Sequence, residues 1–179
     1  MNNRTNNTSS LPADDLARSS VIARPESNGG LRHVSVVGDT YTILLDGVQT
    51  NNQYCLIDMH IPQHGGPPLH RHDFEETFHV LEGEIEATFR GQTNTVKVGE
   101  TLHIPANAPH RFTNARPESA RLLCICSPAG QEEFFLSIGD LVPTRTSAPP
   151  EMDEAGKAAR MAKALSLVSK YRTEILIEV

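Results

Sequence analysis

The sequence contains no tryptophan, and aromatic residues make up only 5% of its 179 residues. No apolar run approaches the roughly 20 residues that a transmembrane helix needs, so we expect no membrane association. Sixteen Lys and Arg residues against 22 Asp and Glu residues give a net charge of -6, and the basic residues are scattered along the chain. The basic face that binds phosphate backbones is therefore missing, and we expect no nucleic-acid partner.

Cysteine is also scarce. Cys55, Cys124 and Cys126 cannot all pair within one chain, and so few cysteines suit a reducing compartment better than a disulfide framework. The N-terminus lacks the apolar core of a secretion signal, so we expect a cytoplasmic protein. Cys124 and Cys126 are two residues apart and should share one face of a strand. We interpret them as buried core side chains, with a metal or redox role as the alternative.

The composition changes twice along the chain, and a chain of this length suits one folded domain. Residues 1–28 are rich in Asn, Ser, Thr, Arg and Asp with few apolar residues, which predicts an N-terminal arm that is flexible unless it docks. Residues 29–144 carry strand patterns and are predicted to form a β-barrel. Residues 145–179 are predicted to add a helix and a final strand.

The central region consists of short runs bounded by turn residues, a pattern typical of strands. The predicted strands are Val34–Val37, Tyr41–Leu45, Gln53–Ile61, Thr77–Leu81, Glu84–Phe89, Thr93–Val98, Thr101–Ile104, His110–Asn114 and Arg121–Cys126. Gly83 and Gly91 lie where hairpin turns are needed and permit the required backbone angles. The even spacing predicts an all-β fold, either an antiparallel sandwich or a barrel.

The C-terminal segment has a different pattern. After Pro149 and Pro150, acidic residues suit the start of a helix. Apolar residues then recur at close to the helical period, at Ala158, Met161, Ala162, Leu165 and Val168. This predicts an amphipathic helix over about residues 153–170 that packs on the barrel or on a second subunit. Glu174–Val179 is predicted to form a last strand that is paired rather than left as an exposed edge.

Candidate metal ligands cluster in the centre of the chain. His70 and His72 are two residues apart, so in a strand both imidazoles point to one face. Glu76 returns to that face if the strand stays regular, and His110 arrives from a distant predicted strand. Three imidazoles and one carboxylate suit one divalent ion of Fe, Mn, Ni, Co, Cu or Zn, with positions left open for other ligands. Glu75 is the alternative carboxylate, because a small bulge would exchange it with Glu76.

The spacing of these residues resembles the two motifs of the cupin superfamily. The first motif is matched by His70-x-His72, three residues, Glu76, six residues and Gly83, and the second by Gly99, five residues, Pro105, His110 and Asn114. The resemblance covers roughly residues 30–140. Residues 66–78, together with the predicted tail after Pro150, are similar to the quercetin 2,3-dioxygenase-like branch of the superfamily.

Two positions depart from the motifs. Gly65 and Gly66 lie slightly closer to His70 than the usual glycine does. Asn107 stands where the second motif usually has glycine, and asparagine tolerates left-handed backbone angles. Neither departure changes a ligand.

The resemblance implies a jelly-roll β-barrel with a C-terminal helix, and commonly a homodimer. It also implies a metal-dependent dioxygenase that acts on a small aromatic or enolisable compound, with Glu76 as a ligand or as the base that takes the substrate proton. Two alternatives stay open because the fold hosts many activities. One is a metal-dependent isomerase, lyase or cyclase, and the other is a non-enzymatic small-molecule-binding protein.

A substrate pocket is expected beside the metal. Phe78, Phe89 and Phe112 are in phase with the predicted inward positions and are candidates to line it, with core packing as the alternative. His64 lies near the metal-binding loop, where it is a candidate for a contact with the substrate or with a ligand.

Overall fold

The computed structural model describes residues 11–27 and 30–176. Within these ranges the chain forms strands and three helices. The strands are β1 (Arg32–Val36), β2 (Asp39–Leu45), β3 (Cys55–Ile61), β4 (His70–His72), β5 (Glu75–Glu82), β6 (Glu84–Phe89), β7 (Gln92–Lys97), β8 (Thr101–Ile104), β9 (His110–Thr113), β10 (Ala120–Ser127), β11 (Asp140–Val142) and β12 (Thr173–Ile175). The helices are α1 (Gly47–Thr50), α2 (Gln131–Ile138) and α3 (Glu154–Leu167).

The strands form two antiparallel sheets. One has the order β11-β1-β2-β3-β10-β5-β8, and the other has the order β12-β4-β9-β6-β7. Among the described strands no hydrogen-bonded pair joins the two sheets, so they form an open jelly roll rather than a closed barrel. The prediction of an all-β jelly roll with a C-terminal helix is confirmed, and only the closure of the barrel differs.

The core lies between the sheets and follows the alternation of side chains along each strand. On β5, Phe78 and Val80 are buried while their neighbours are less so. On β10, Leu122, Cys124 and Cys126 point inward and are fully buried. The three cysteines are free, and all of them are buried in the core.

Two helices are not among the predicted elements. The short helix α1 is held by a capping box, in which the Asp46 side chain accepts from the Gln49 amide and the Gln49 side chain accepts from the Asp46 amide. Helix α2 buries Phe134, Phe135 and Ile138 against the sheet. Both are too short for an apolar period to be recognised in the sequence.

Helix α3 lies within the predicted range, and part of the predicted stripe, Met161, Leu165 and Val168, faces the domain. The partly buried residues that pack on the core are Ala164, Leu167 and Val168, at the C-terminal end of the helix. Ala158 and Ala162 of the predicted stripe are exposed instead. Strand β12 pairs with β4, so the final strand is paired as expected. Residues 177–179 of the predicted strand lie outside the described residues.

Residues 11–27 contain no helix or strand and are mostly exposed. They contact the domain through Glu26, which lies 3.4 Å from Arg121, and through Arg18, which donates to the backbone of Gln49. Residues 1–10 and residue 28 of the predicted arm lie outside the described residues, so its flexibility and the domain boundaries stay predictions. None of the three helices that the structure describes has the length and apolar character of a membrane span.

Candidate metal centre

The four predicted ligands meet in the interior of the jelly roll. His70 and His72 point inward from β4, and His110 lies directly opposite His70 on β9. Glu76 reaches the same point from β5 of the other sheet. All four residues are buried, and their ligand atoms lie within 4.8 Å of one another. This cluster could hold a metal ion.

Backbone carbonyls orient the three imidazoles. Each Nδ1 lies within hydrogen-bond distance of a carbonyl oxygen: His70 of Pro68 at 2.8 Å, His72 of Phe74 at 2.9 Å and His110 of Ala108 at 2.9 Å. Since a carbonyl oxygen only accepts, Nδ1 must carry the proton, which leaves the Nε2 lone pair of a neutral ring free. Histidines that bind metals are commonly held in this way.

The free nitrogens face a carboxylate. Glu76 Oε2 lies 3.0 Å from His72 Nε2 and 3.1 Å from His110 Nε2. In this tautomer the Nε2 atoms of both neutral rings are hydrogen-bond acceptors, and so is the carboxylate oxygen that they face. A cation between the nitrogens and the oxygen resolves this conflict. Two ligand atoms about 2.1 Å from one ion and at right angles to each other would lie about 3.0 Å apart. The donor set and its spacing therefore fit a divalent transition metal.

The electrostatics of the cluster agree with this fit. Burial acts to raise the pKa of Glu76, but hydrogen bonds with His110 and His72, which need protonated rings when no cation lies between them, outweigh it and place the pKa well below its usual range. Burial, and to a lesser degree the neighbouring His110, lowers the pKa of His70 to about 4. At neutral pH His70 is therefore a neutral ligand beside an ionised carboxylate.

Glu75 is not brought into the cluster. Strand β5 stays regular at this point, with Glu76 opposite Ile104 on β8. Glu75 consequently points away from the core, where its Oε2 lies 3.1 Å from His103 Nε2 at the surface. The structure places Glu76, rather than Glu75, among the histidines.

The two positions that depart from the motifs have clear backbone roles. Asn107 adopts a left-handed conformation with φ of 67°, and its amide donates to the carbonyl of His72 at 2.6 Å. Gly66 has φ of 125°, and a Cβ atom there would lie 2.1 Å from the carbonyl oxygen of Phe112. Each residue thus fixes a loop against a strand that carries a ligand.

Two cysteine thiols contact the other oxygen of Glu76. Cys124 Sγ and Cys126 Sγ lie 3.3 and 3.6 Å from Glu76 Oε1. Burial raises the pKa of Cys124 to about 12, so its thiol stays protonated and can donate. These contacts turn Oε2 toward the histidines. The even spacing of the two cysteines predicts their shared face, but it does not predict their contact with Glu76.

A cavity of about 130 Å³ adjoins the cluster. His70 and Glu76 form part of its wall, and the rest is mainly apolar, with α3 contributing Met161, Ala164, Leu165 and Val168. Phe78 and Phe112 line it as predicted, with ring centroids 5.2 Å apart.

Two of the expected pocket residues are not on the cavity wall. Phe89 is half-buried near the end of β6, where the guanidinium of Arg90 lies over its ring at 4.8 Å. His64 is exposed in a left-handed conformation, and its amide donates to the carbonyl of Asn114. The strand register and this loop conformation turn both side chains away from the cavity.

Four polar residues on the cavity wall were not predicted from the sequence: Asp39, Tyr41, Gln131 and Thr173. The hydroxyl of Tyr41 donates to Asp39 Oδ2 at 2.9 Å. Burial raises the pKa of Asp39 to about 7, although the hydroxyl of Tyr41 and the nearby backbone of Gly66 oppose this. Asp39 follows Gly38 in the sequence and resembles an ordinary turn residue.

Residues 57–126 match the cupin domain family. This segment, which holds all four residues of the cluster, is therefore a cupin domain. A quercetin 2,3-dioxygenase of Bacillus subtilis is 28% identical to this cupin over 92 residues, which cover 51% of the chain and 27% of the dioxygenase. An uncharacterized protein of Methanocaldococcus jannaschii is 33% identical over 66 residues, covering 36% of the chain and 53% of that protein.

Among solved structures, a predicted oxalate decarboxylase of Thermotoga maritima aligns with a TM-score of 0.55 and 16% identity. The alignment covers 60% of this cupin and 99% of the Thermotoga chain. At this identity the likeness concerns the fold. The cupin matches about half or less of the length of the two sequence relatives.

Proposed function

We propose that this cupin is a metal-dependent dioxygenase that acts on a small aromatic or enolisable compound. The observation that carries the proposal is the cluster of His70, His72, Glu76 and His110, of which His70 and Glu76 line a partly open, mainly apolar cavity. The partial similarity to a quercetin 2,3-dioxygenase supports oxygen chemistry over a redox-neutral reaction.

The four residues would hold one divalent transition ion. When bound, the ion would supply a Lewis-acidic centre with positions open to a substrate oxygen. The carbonyls of Pro68, Phe74 and Ala108, in the loops next to β4 and β9, keep each Nε2 aimed at the same point. Glu76 is the carboxylate of the cluster, and we assign it as a ligand or as the acceptor of a substrate proton.

The cavity limits the size of the substrate. A volume of about 130 Å³ is close to that of an engineered cavity of about 150 Å³ that holds benzene. One six-membered ring therefore fits, whereas a three-ring flavonoid such as quercetin would extend beyond this volume.

The cavity also limits the charge of the substrate. Among the described residues, no Lys or Arg lines its wall. Beyond the proposed metal ion, a phosphorylated compound or a dicarboxylate would meet no fixed counter-charge there, and a buried charge without a partner is costly. A neutral phenol or an enolisable diketone matches the wall better.

Oxygen uptake by the full chain tests the proposal. Metal-free protein would be loaded separately with Fe(II), Mn(II), Ni(II), Co(II) and Cu(II), and then supplied with catechol or 2,4-pentanedione. We expect one metal to support consumption of one O₂ per substrate, with the activity lost in Glu76→Gln and retained in the neighbouring control Glu75→Gln. Substrate loss without oxygen uptake would favour an isomerase, lyase or cyclase. Binding without any turnover would favour a non-enzymatic role.

The homodimer and the cytoplasmic location stay predictions. Size-exclusion chromatography with light scattering would test the first, and a fluorescent fusion would test the second.

A further inference from the structure

Two buried polar atoms on the cavity wall have no hydrogen-bond partner in the described structure. They are Asp39 Oδ1 and Gln131 Oε1, in residues that are 1% and 6% exposed. Buried polar atoms in folded proteins are nearly always satisfied, because an unpaired one costs free energy. Since both residues line the same cavity, a ligand in that cavity would offer them a partner.

The local structure holds the Asp39 carboxyl in place. Asp39 and Tyr41 are two residues apart on β2, so both side chains point inward, and the Tyr41 hydroxyl binds Oδ2. Gly65 makes room for the other oxygen, because a Cβ atom there would lie 2.2 Å from Oδ1. A backbone hydrogen bond from Gly66 also favours the charged carboxyl, although its geometry does not satisfy Oδ1.

Gln131 approaches from the adjacent helix. It is the first residue of α2, and the ring of Phe135 in that helix lies 4.6 Å from the ring of Tyr41. This contact joins α2 to β2. Besides Asp39 and Tyr41, the titratable side chains on the cavity wall are His70 and Glu76 of the metal centre.

We propose that Asp39, Tyr41 and Gln131 form a polar subsite that binds a substrate hydroxyl group distinct from the oxygen at the metal centre. A hydroxyl both donates and accepts hydrogen bonds, so it satisfies the Gln131 oxygen as a donor and the Asp39 carboxyl in either protonation state. The pKa of Asp39 at about 7 means that both states are populated at neutral pH. The inference rests on the proposed function and narrows its substrate to a single ring with at least two oxygen substituents.

The test measures binding rather than turnover. The full chain, loaded with redox-inert Zn(II), would be titrated by calorimetry with phenol, catechol, resorcinol and hydroquinone. We expect at least one dihydroxybenzene to bind about tenfold or more tightly than phenol, since it adds a hydrogen bond in a desolvated site.

The variants remove the subsite while keeping its shape. Gln131→Leu deletes one acceptor, and the double variant Asp39→Leu, Tyr41→Phe replaces a bonded pair together, which limits the cost to folding. Both should bind the dihydroxybenzene no more tightly than phenol, while phenol binding stays within about threefold of wild type. Ser35→Ala is the matched control, because Ser35 Oγ is also buried and unpaired but lies away from this cavity, and it should keep the preference.

Equal binding of phenol and all three dihydroxybenzenes by the wild type would overturn the subsite. A preference that survives in both Gln131→Leu and the double variant would overturn it as well. If the preference depends on these residues but no metal supports oxygen uptake, the subsite stands and the proposed activity fails.

Discussion

The buried carboxyl of Asp39 makes the stability of the fold depend on pH. Its pKa is about 7 in the folded protein, against an ordinary value of 3.8, because burial disfavours the charged form. The folded state holds this proton more tightly than the unfolded state does. The stabilisation is therefore fully present below about pH 4 and is lost as the pH rises to 7. The difference between the two pKa values corresponds to about 4 kcal/mol at pH 8.

Asp39→Asn removes this dependence, since the amide has no ionised form and can still accept from Tyr41. The free energy of unfolding of the variant relative to wild type should rise by about 3 kcal/mol between pH 5 and pH 8. Urea denaturation of both proteins at pH 5, 6, 7 and 8 measures it. In Tyr41→Phe the pH dependence should steepen, because the hydrogen bond that favours the carboxylate is gone. A constant difference between Asp39→Asn and wild type across this range would refute the reasoning.

Three further perturbations test the metal centre and the scaffold. Free metal at about one hundred times its dissociation constant should stabilise the fold by about 2.7 kcal/mol. A chelator should therefore lower the melting temperature of the wild type. The melting temperature of His72→Ala should not respond to the chelator. Arg121→Met should lower the free energy of unfolding by about 3–5 kcal/mol in chemical denaturation. The reason is that the buried Asp58 carboxylate, 2.6 Å from the Arg121 guanidinium, loses its partner. An unchanged denaturation midpoint would contradict this. Gly66→Ala should lower the melting temperature more than Gly91→Ala, since both glycines have positive φ but only Gly66 faces a backbone oxygen at close range; equal losses would argue against this steric role.

The cluster of His70, His72, Glu76 and His110 could be predicted only in part from local geometry. Two histidines separated by one residue share a strand face whatever the fold, and a regular strand separates Glu76 from Glu75. Glu76 does not continue the strand of His70 and His72 but lies on β5 of the other sheet. The meeting of Glu76 and His110 with the other two histidines therefore needs the tertiary fold, and there the resemblance to known motifs supplied what alternation could not. The expected role of Asn107 in a left-handed turn agrees with its φ of 67°.

The cavity wall was harder to predict, because it depends on packing between distant segments. Gln131 becomes a wall residue only because α2 folds back against β2, and no local pattern indicates that helix. Phe89 follows the same alternation as other inward residues, yet it lies at the end of β6, away from the cavity. Tertiary packing thus decided which of the similar aromatic side chains line the cavity.

The most direct test of the account is the metal content of the purified protein. Elemental analysis would compare the wild type with the double variant His70→Ala, His110→Ala and with the exposed control Glu75→Gln. The account predicts about one transition-metal ion per chain in the wild type and in Glu75→Gln, and none in the double variant. A wild type that takes up no metal when it is supplied in excess, or a double variant that keeps the same content, would contradict it.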